Sequence, residues 1–172
     1  SAKGFLAELK EQAKGRDVAL SLHSPGGEVF DGWAIYNALK WHEGEVTVKV
    51  EGLAASMASV IAMAGDRVTM PENSYLMIHN PWSIAVGDAG EMREVADLLE
   101  KLDDGIVGAY AKRAGMDEDE VRTLMDAETW LTGREAVEMG FADVVEEPVA
   151  MAAVRRGVDI SKWSKVPTNL MA

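Results

Sequence analysis

The hydrophobic positions along the chain follow the period of a strand in some segments and the period of a helix in others. Residues 18–22 alternate between apolar and small or polar side chains, as in a strand, whereas residues 2–13 place their apolar side chains on one helical face. Similar reasoning predicts strands over residues 18–22, 46–53, 67–70, 75–78 and 142–145. Because helical stretches separate most of these strands, the pattern favours an α/β fold with parallel strands.

Two of the predicted helices have features that bear on packing. Residues 29–41 carry apolar and aromatic side chains on most sides, which predicts a largely buried helix. The helix that Asp88 begins is far longer, since Glu91 completes a capping box and one apolar stripe continues to Tyr110. At 1.5 Å per residue this helix, residues 88–113, spans roughly 40 Å, which is more than a compact domain needs. We therefore expect its apolar stripe to meet a neighbouring chain.

Composition narrows the possible functions of the chain. With 172 residues, of which 48% are apolar, the chain can bury the core of one domain. Its 17 basic and 29 acidic residues give a net charge of -12, which argues against a nucleic-acid groove. There is no cysteine, which rules out a thiol nucleophile and fits a reducing compartment such as the bacterial cytoplasm. The three histidines are not spaced as metal ligands.

No segment of the chain is expected to enter a membrane. The longest apolar run, residues 53–65, is too short to cross a bilayer and is typical of a buried helix. The sequence shows no secretory signal, and we expect the chain to act in the cytoplasm.

The last part of the chain differs from the rest in charge. Residues 1–148 predict one folded domain, whereas residues 149–172 carry four basic side chains and one acidic side chain. Because the rest of the chain is strongly acidic, this C-terminal arm could dock on an acidic neighbour. A disordered end or the start of a linker would look the same in the sequence.

Three segments hold the residues that acyl transfer at a peptide bond requires. Ser56 follows the strand over residues 46–53 and directly precedes an apolar helix, so an oxyanion formed beside it would meet the free N–H groups of a helix N-terminus. Gly26 and Gly27 follow another strand end, where backbone N–H groups can turn toward a ligand. His79 could take the proton of the serine hydroxyl.

Each of these segments also has a simpler structural interpretation. A serine at this position is more often only the N-cap of its helix, and paired glycines can form an ordinary turn. Ser59 is a rival hydroxyl that we expect to be packed inside the helix. His23 lies as close to a glycine turn as His79 does, so the residues alone do not choose between the two imidazoles. The five tryptophans follow no aromatic-cage pattern and are expected to pack.

Taken in order, these motifs resemble those of the Clp protease proteolytic subunit family, and in particular the Clp-like proteases of phage and prophage head maturation. The matching segments are Ser-Pro-Gly-Gly at 24–27, Ala-Ala-Ser-Met at 54–57 and Met-Ile-His-Asn-Pro at 77–81. The resemblance covers residues 18–145. It implies an α/β fold of the Clp protease/crotonase type, with stacked β-β-α turns and a protruding long helix.

The resemblance also implies roles for individual residues. It makes Ser56 the nucleophile and His79 the general base of a serine endopeptidase that works through an acyl-enzyme. The backbone N–H groups of Gly27 and Met57 would form the oxyanion hole. Residues 82–87 resemble the extended segment that carries substrate beside the active site. No metal or organic cofactor is implied.

The third member of the triad is where the chain departs from the family pattern. The family usually carries an aspartate two residues before an aromatic residue; here the aromatic residue is Trp130 and the matching position holds Glu128. A glutamate can orient an imidazole, although it is one methylene longer than an aspartate. Asp126 is the alternative, and the third member could also be weak or absent.

The resemblance further implies polypeptide substrates and a homo-oligomer of stacked rings, in which the long helix makes the ring-to-ring contact. Capsid or scaffold proteins of a phage prohead are the expected substrates, and housekeeping degradation with an ATP-driven unfoldase is the alternative. A catalytically silent ring protein and a crotonase-like acyl-CoA enzyme stay open as other classes. A membrane-associated signal-peptide peptidase is less expected, because no lysine takes a matching base position.

Overall fold

The computed structural model describes residues 2–148 and 159–171, which form a mixed α/β fold on a curled, six-stranded sheet. The strands are β1 (Val18–Ser24), β2 (Val46–Ala55), β3 (Arg67–Pro71), β4 (Tyr75–Ile78), β5 (Thr129–Thr132) and β6 (Val144–Glu146). The helices are α1 (Ala2–Glu8), α2 (Val29–Lys40), α3 (Met57–Ala62), α4 (Ala89–Ala114), α5 (Glu118–Asp126), α6 (Gly133–Glu138) and α7 (Thr168–Met171). A π-helical turn, Leu9–Ala13, continues α1.

Strand β2 is the centre of the sheet because it is long enough to pair with three strands. One edge of β2 pairs with β1 from Val46 to Ala54, and the other edge pairs with β3 in its first half and with β4 in its second half. Strand β6 extends the sheet beyond β3, and β5 extends it beyond β4. All of these pairings are parallel except the one between β4 and β5, so the predicted α/β class is confirmed.

The second half of β2 and strand β4 carry a separate apolar cluster on each face. One face belongs to the main core, to which Ala54 and Leu76 contribute together with α3 and the second half of α4. The opposite face carries Leu53, Ala55, Tyr75 and Met77. This second face is covered by the C-terminal part of the chain through its side chains at Ile160, Trp163, Val166 and Leu170. Successive residues of a strand point to opposite faces, so adjacent positions in β2 and β4 serve different clusters.

Strand β5 was not predicted from the sequence. It consists of four residues, and its first residue follows directly after Glu128, whose φ of 48° interrupts regular structure. A strand this short carries little periodicity of its own and forms through pairing with β4.

The prediction that residues 29–41 form a largely buried helix is wrong. Helix α2 is present, but within it only Gly32 and Leu39 are buried, and Phe30 is 66% exposed. The helix approaches α3 along a narrow line at Gly32, where an added Cβ would lie 2.2 Å from Cγ of Met57. This close approach buries one side of α2 and leaves the rest to solvent.

Two tryptophans also depart from expectation. Trp41 is 79% exposed and Trp82 is 58% exposed, so the expectation that all five tryptophans pack is wrong for these two. Trp163 is buried against the face described above. Residues 149–158 of the predicted C-terminal arm lie outside the described residues.

Helix α4 protrudes, as the resemblance implied. The predicted capping box of Asp88 and Glu91 is present, and the buried residues of the helix are confined to its second half, residues 106–110. The first half exposes apolar side chains, among them Met92 and Leu98. Among the described helices, none is both long enough and apolar enough to cross a bilayer.

Candidate active site

Ser56 occupies the sharp turn between β2 and α3. Its backbone has φ 55° and ψ -130°, a left-handed conformation that L-residues rarely adopt and that costs of order 1–3 kcal/mol. The sheet holds it there, since the Ser56 N–H donates to the carbonyl of Met77 at 2.9 Å. The Ser56 side chain makes no capping hydrogen bond to α3, so the interpretation of this residue as a simple N-cap does not hold.

His79 is the imidazole that meets this serine. Strands β2 and β4 run parallel with Ala55 opposite Met77, so the residues that follow them leave the sheet side by side. Nε2 of His79 lies 2.8 Å from Oγ of Ser56. Both ring nitrogens of His23 are buried and bond to no described residue, so His79 rather than His23 is the imidazole that meets Ser56.

The surroundings of His79 favour its neutral form. Burial lowers the pKa of His79 to about 4, with a contribution in the same direction from the Lys162 ammonium and an opposing one from the Glu128 carboxylate. At neutral pH the imidazole therefore carries no charge and can accept a proton from the hydroxyl that it contacts.

Ser59 supports the strained turn from below. It is fully buried, as expected, and its Oγ lies 2.6 Å from the carbonyl oxygen of Ser56 and 2.9 Å from that of Met77. The Tyr110 hydroxyl lies 2.7 Å from the same Oγ and can donate to it. This buried network ties the turn to β4 and to the long helix α4.

The glycine turn after β1 lies against the Ser56 turn. Gly26 has φ 88°, and a Cβ added there would lie 2.8 Å from Cβ of Ser56 and 2.9 Å from the Met57 nitrogen. A Cβ added at Gly27 would contact nothing within 4 Å. The N–H groups of Gly27 and Met57 donate to no acceptor among the described residues, so both are free to bind a ligand.

A cleft of about 360 Å³ opens next to the glycine turn. Leu22, Ile35 and Met57 contribute apolar lining, and Asp31 contributes a carboxylate. Its position beside two free N–H groups suits the side chain of a bound substrate.

Glu128 is held by partners other than His79. Its Oε1 accepts from the Lys165 N–H at 2.7 Å and from the Trp130 indole N–H at 3.3 Å. Its Oε2 accepts from the N–H and the hydroxyl of Ser164, at 3.2 and 2.9 Å. Burial acts to raise the pKa of Glu128, but the hydrogen bonds from Lys165 and Ser164 outweigh it and lower the pKa. The carboxylate is therefore ionised, and it acts on His79 only through its charge.

The alternative carboxylate, Asp126, also pairs elsewhere. Its Oδ1 accepts from Nδ2 of Asn80 at 2.7 Å. This bond ties the end of α5 to the residue that follows His79. Within residues 2–148 and 159–171, therefore, neither Glu128 nor Asp126 is hydrogen-bonded to His79.

The contact between Trp163 and His79 is a feature that sequence reasoning missed. The two rings meet edge to face, with centroids 4.4 Å apart and planes at 74°. Lys162 lies next to them, its Nζ 4.5 Å from the centroid of the Trp163 ring. The only signal in the sequence was a tryptophan within a basic arm, which points to no particular partner.

Residues 82–87 run without regular secondary structure beside the site, and Ile84 and Val86 are largely exposed. Their expected role in carrying substrate stays a prediction. The described residues contain no group of three histidine or carboxylate side chains arranged to hold a metal ion.

A hydroxyl on a strained strand-to-helix turn, hydrogen-bonded to a neutral imidazole and flanked by free backbone N–H groups, is typical of serine hydrolases. The chain belongs to the Clp protease family, whose family model matches residues 3–149. Its mixed α/β fold with a curled sheet is consistent with the fold of that family.

Individual relatives carry the same family name. The chain is 35% identical over 134 residues to the ATP-dependent Clp protease proteolytic subunit of Bacteroides fragilis, covering 76% of this chain and 64% of the relative. It is 32% identical over 145 residues to the subunit of that name from Chlorella vulgaris, covering 83% and 72%. The chain thus spans slightly less than two thirds of the length of the Bacteroides fragilis relative. These names do not include phage head maturation, so that expected closeness stays a prediction.

Proposed function

We propose that this chain is a serine endopeptidase that hydrolyses peptide bonds through an acyl-enzyme. The observation that carries the proposal is the hydrogen bond of 2.8 Å between Oγ of Ser56 and Nε2 of His79, made by a serine in a strained backbone conformation. Strain of this kind persists only where the surrounding structure holds it, and it clusters at functional sites.

In the first half of the proposed reaction, the Ser56–His79 pair makes the acyl-enzyme. Ser56 attacks the scissile carbonyl while His79 takes the hydroxyl proton, and the N–H groups of Gly27 and Met57 stabilise the oxyanion of the tetrahedral intermediate. His79 then returns the proton to the leaving amine, which leaves the acyl-enzyme on Ser56. Water attacks the ester in the second half, with His79 again as the base.

Glu128 is the proposed third member of the triad. Its negative charge already acts to raise the pKa of His79 and so favours the imidazolium that forms during attack. A direct hydrogen bond to the imidazole would add orientation to this electrostatic effect.

We also propose that the chain works as stacked rings, with the exposed first half of α4 in the contact between rings. The exposed apolar side chains of that half, with Met92 40% exposed, support the idea of a neighbouring chain there. Processing of capsid or scaffold protein in a phage prohead is our proposed setting. The names of the relatives favour the alternative, degradation with an ATPase partner.

Labelling with a fluorophosphonate probe tests the chemistry. We expect the parent chain to be labelled, and Ser56→Ala and His79→Ala to abolish labelling. Ser21→Ala and His42→Ala are matched controls that should label like the parent, because Ser21 is exposed on β1 and the His42 ring meets the Arg16 carbonyl, so neither side chain contacts the Ser56–His79 pair. An assembled but unlabelled parent would contradict the proposal and favour a silent ring protein, and binding of acyl-CoA without labelling would favour a crotonase-like enzyme.

The biological setting, head maturation or ATP-dependent degradation, needs a separate experiment. Cleavage of co-expressed capsid or scaffold protein without any ATPase would support head maturation. Degradation that depends on added ATP and an unfoldase would support the housekeeping role instead.

A further inference from the structure

The C-terminal residues that the structure describes meet the candidate active site at two points. Trp163 packs edge-on against the His79 ring, and Ser164 and Lys165 donate to the Glu128 carboxylate. Nζ of Lys165 also donates to the carbonyl of Ala127, next to Glu128. The hydrogen bonds from Ser164 and Lys165 bridge 36 to 38 residues of sequence and reach Glu128, the position proposed as the third triad member, and its neighbour Ala127.

The hydrogen bonds use up the capacity of the Glu128 carboxylate. A carboxylate offers about four lone-pair positions, two on each oxygen. Oε1 is taken by Trp130 and Lys165, and Oε2 is taken twice by Ser164. No position is left for the Nδ1–H group of His79, although the charge of Glu128 reaches that imidazole.

An apolar contact anchors the same segment. Trp163 is only 8% exposed and lies in one cluster with Leu53 and Met77 of the sheet, which Ile160 and Leu170 extend. Burial of a large aromatic side chain holds the segment in place while its backbone faces Glu128.

We propose that residues 159–171, the C-terminal latch, hold Glu128 away from His79, so that the docked chain carries a Ser56–His79 dyad and completes its triad only when the latch is released. The proposal rests on the proposed function, since it concerns the third member of the same triad. Release would free the acceptor positions of Glu128 for His79.

Two serines of the latch provide a matched pair of variants. The Ser164 hydroxyl donates to Glu128, whereas the Ser161 hydroxyl donates only to Asp159. We expect Ser164→Ala to raise the rate of fluorophosphonate labelling roughly tenfold or more, because a hydrogen bond to a charged group biases an equilibrium by about that factor. Ser161→Ala should label at the parent rate. Trp163→Ala should also raise the rate if the chain stays folded.

The Glu128→Gln variant shows whether faster labelling in Ser164→Ala depends on the Glu128 carboxylate. The Ser164→Ala/Glu128→Gln chain should label no faster than Glu128→Gln alone. A gain that persists without the Glu128 carboxylate would overturn the proposal, as would a parent-like or slower rate in Ser164→Ala. A slower rate would make the latch a support for His79.

A titration of His79 by NMR separates this proposal from the proposed function. In a Ser56→Ala background, which cannot react, release of the latch brings Glu128 closer to His79 and moves Lys162 away. We expect the pKa of His79 to rise from the parent to Ser164→Ala by more than it rises from Glu128→Gln to Ser164→Ala/Glu128→Gln, because without the Glu128 carboxylate only the departure of Lys162 is left to raise it. This rise with no labelling of either the parent or Ser164→Ala would sustain the latch and refute the nucleophile. Labelling of the parent with no rise would refute the latch alone.

Discussion

The two ends of the candidate triad are held in different ways. Ser56 and His79 follow adjacent parallel strands, and buried hydrogen bonds from Ser59 hold the Ser56 turn. Glu128 is held mainly from outside the sheet, by Ser164 and Lys165 of a segment near the end of the chain, with one further bond from Trp130. The pair therefore belongs to the core, whereas the third position depends on whether a terminal segment is docked.

The largest expected effect is the loss of the pair itself. Ser56→Ala and His79→Ala should each lower kcat/KM for a peptide substrate roughly 10³-fold or more, because the two side chains act as one unit. The double variant should be no worse than either single one. Losses that multiply would contradict a shared role, and a steady-state peptide assay at matched protein concentrations measures them.

The glycine turn is expected to be the next most sensitive part of the core-held end. Gly26→Ala places a Cβ 2.7 Å from the carbonyl oxygen of Ala55 at φ 88°, so it should lower the free energy of unfolding by about 2–4 kcal/mol. Gly27→Ala has open space around its Cβ and should cost less than about 1 kcal/mol while keeping its N–H. Urea unfolding compares the two variants, and equal losses would argue against the described turn.

Removal of the Ser59 hydroxyl and removal of the Tyr110 hydroxyl should lower the free energy of unfolding by different amounts. Ser59→Ala leaves the Tyr110 hydroxyl without its partner in the core and should lower the free energy of unfolding by about 1–3 kcal/mol. Tyr110→Phe leaves Ser59 with two carbonyl oxygens to donate to, and should cost about 1 kcal/mol. Thermal unfolding compares the two variants. A larger loss in Tyr110→Phe than in Ser59→Ala would contradict the described network.

The lowered pKa of His79 predicts a pH dependence of stability. The unfolded chain binds a proton near the ordinary histidine pKa of 6.5, but the folded chain binds it only near pH 4. Stability therefore falls as the pH drops from about 6.5 to about 4, and His79 adds no slope above that window. His79→Gln should flatten this part of the profile in urea titrations, and an unchanged slope would contradict the burial of a neutral imidazole.

The smallest effect is expected at Asp126. Its carboxylate is bonded to Asn80 near the surface, and Asp126→Asn keeps an oxygen that can accept the same bond. We expect less than about a twofold change in labelling rate, since exposed polar contacts contribute little. A large loss of labelling rate in Asp126→Asn would indicate that Asp126, rather than Glu128, is the third member of the triad.

Local sequence patterns predicted much of the fold. The strand over residues 75–78 has its predicted bounds, and the predicted capping box of Asp88 and Glu91 is present. These features arise from neighbours within a few residues, where periodicity and side-chain chemistry act directly. The prediction that helix α2 is largely buried failed, because apolar side chains on most sides of a helix do not show how many other elements pack against it.

The same division applies to the site. Ser56, the glycine turn and His79 were identified from short motifs, but the choice of His79 over His23 needed the resemblance to a family. The sequence did not suggest that Trp163 meets His79 or that Ser164 meets Glu128. Partners separated by tens of residues leave no local period or spacing to recognise.

The sequence by itself therefore determined the α/β class, most of the elements and the short motifs that hold the candidate nucleophile and base, while the resemblance to a family proposed His79 rather than His23. Only the tertiary structure decided which imidazole meets Ser56 and what holds Glu128. The physical reason is that strands and helices follow from the nearest side chains, whereas a half-buried carboxylate such as that of Glu128 takes whichever donors the completed fold brings to it. Here three of the four donors come from Ser164 and Lys165, near the end of the chain, and one comes from the neighbouring Trp130.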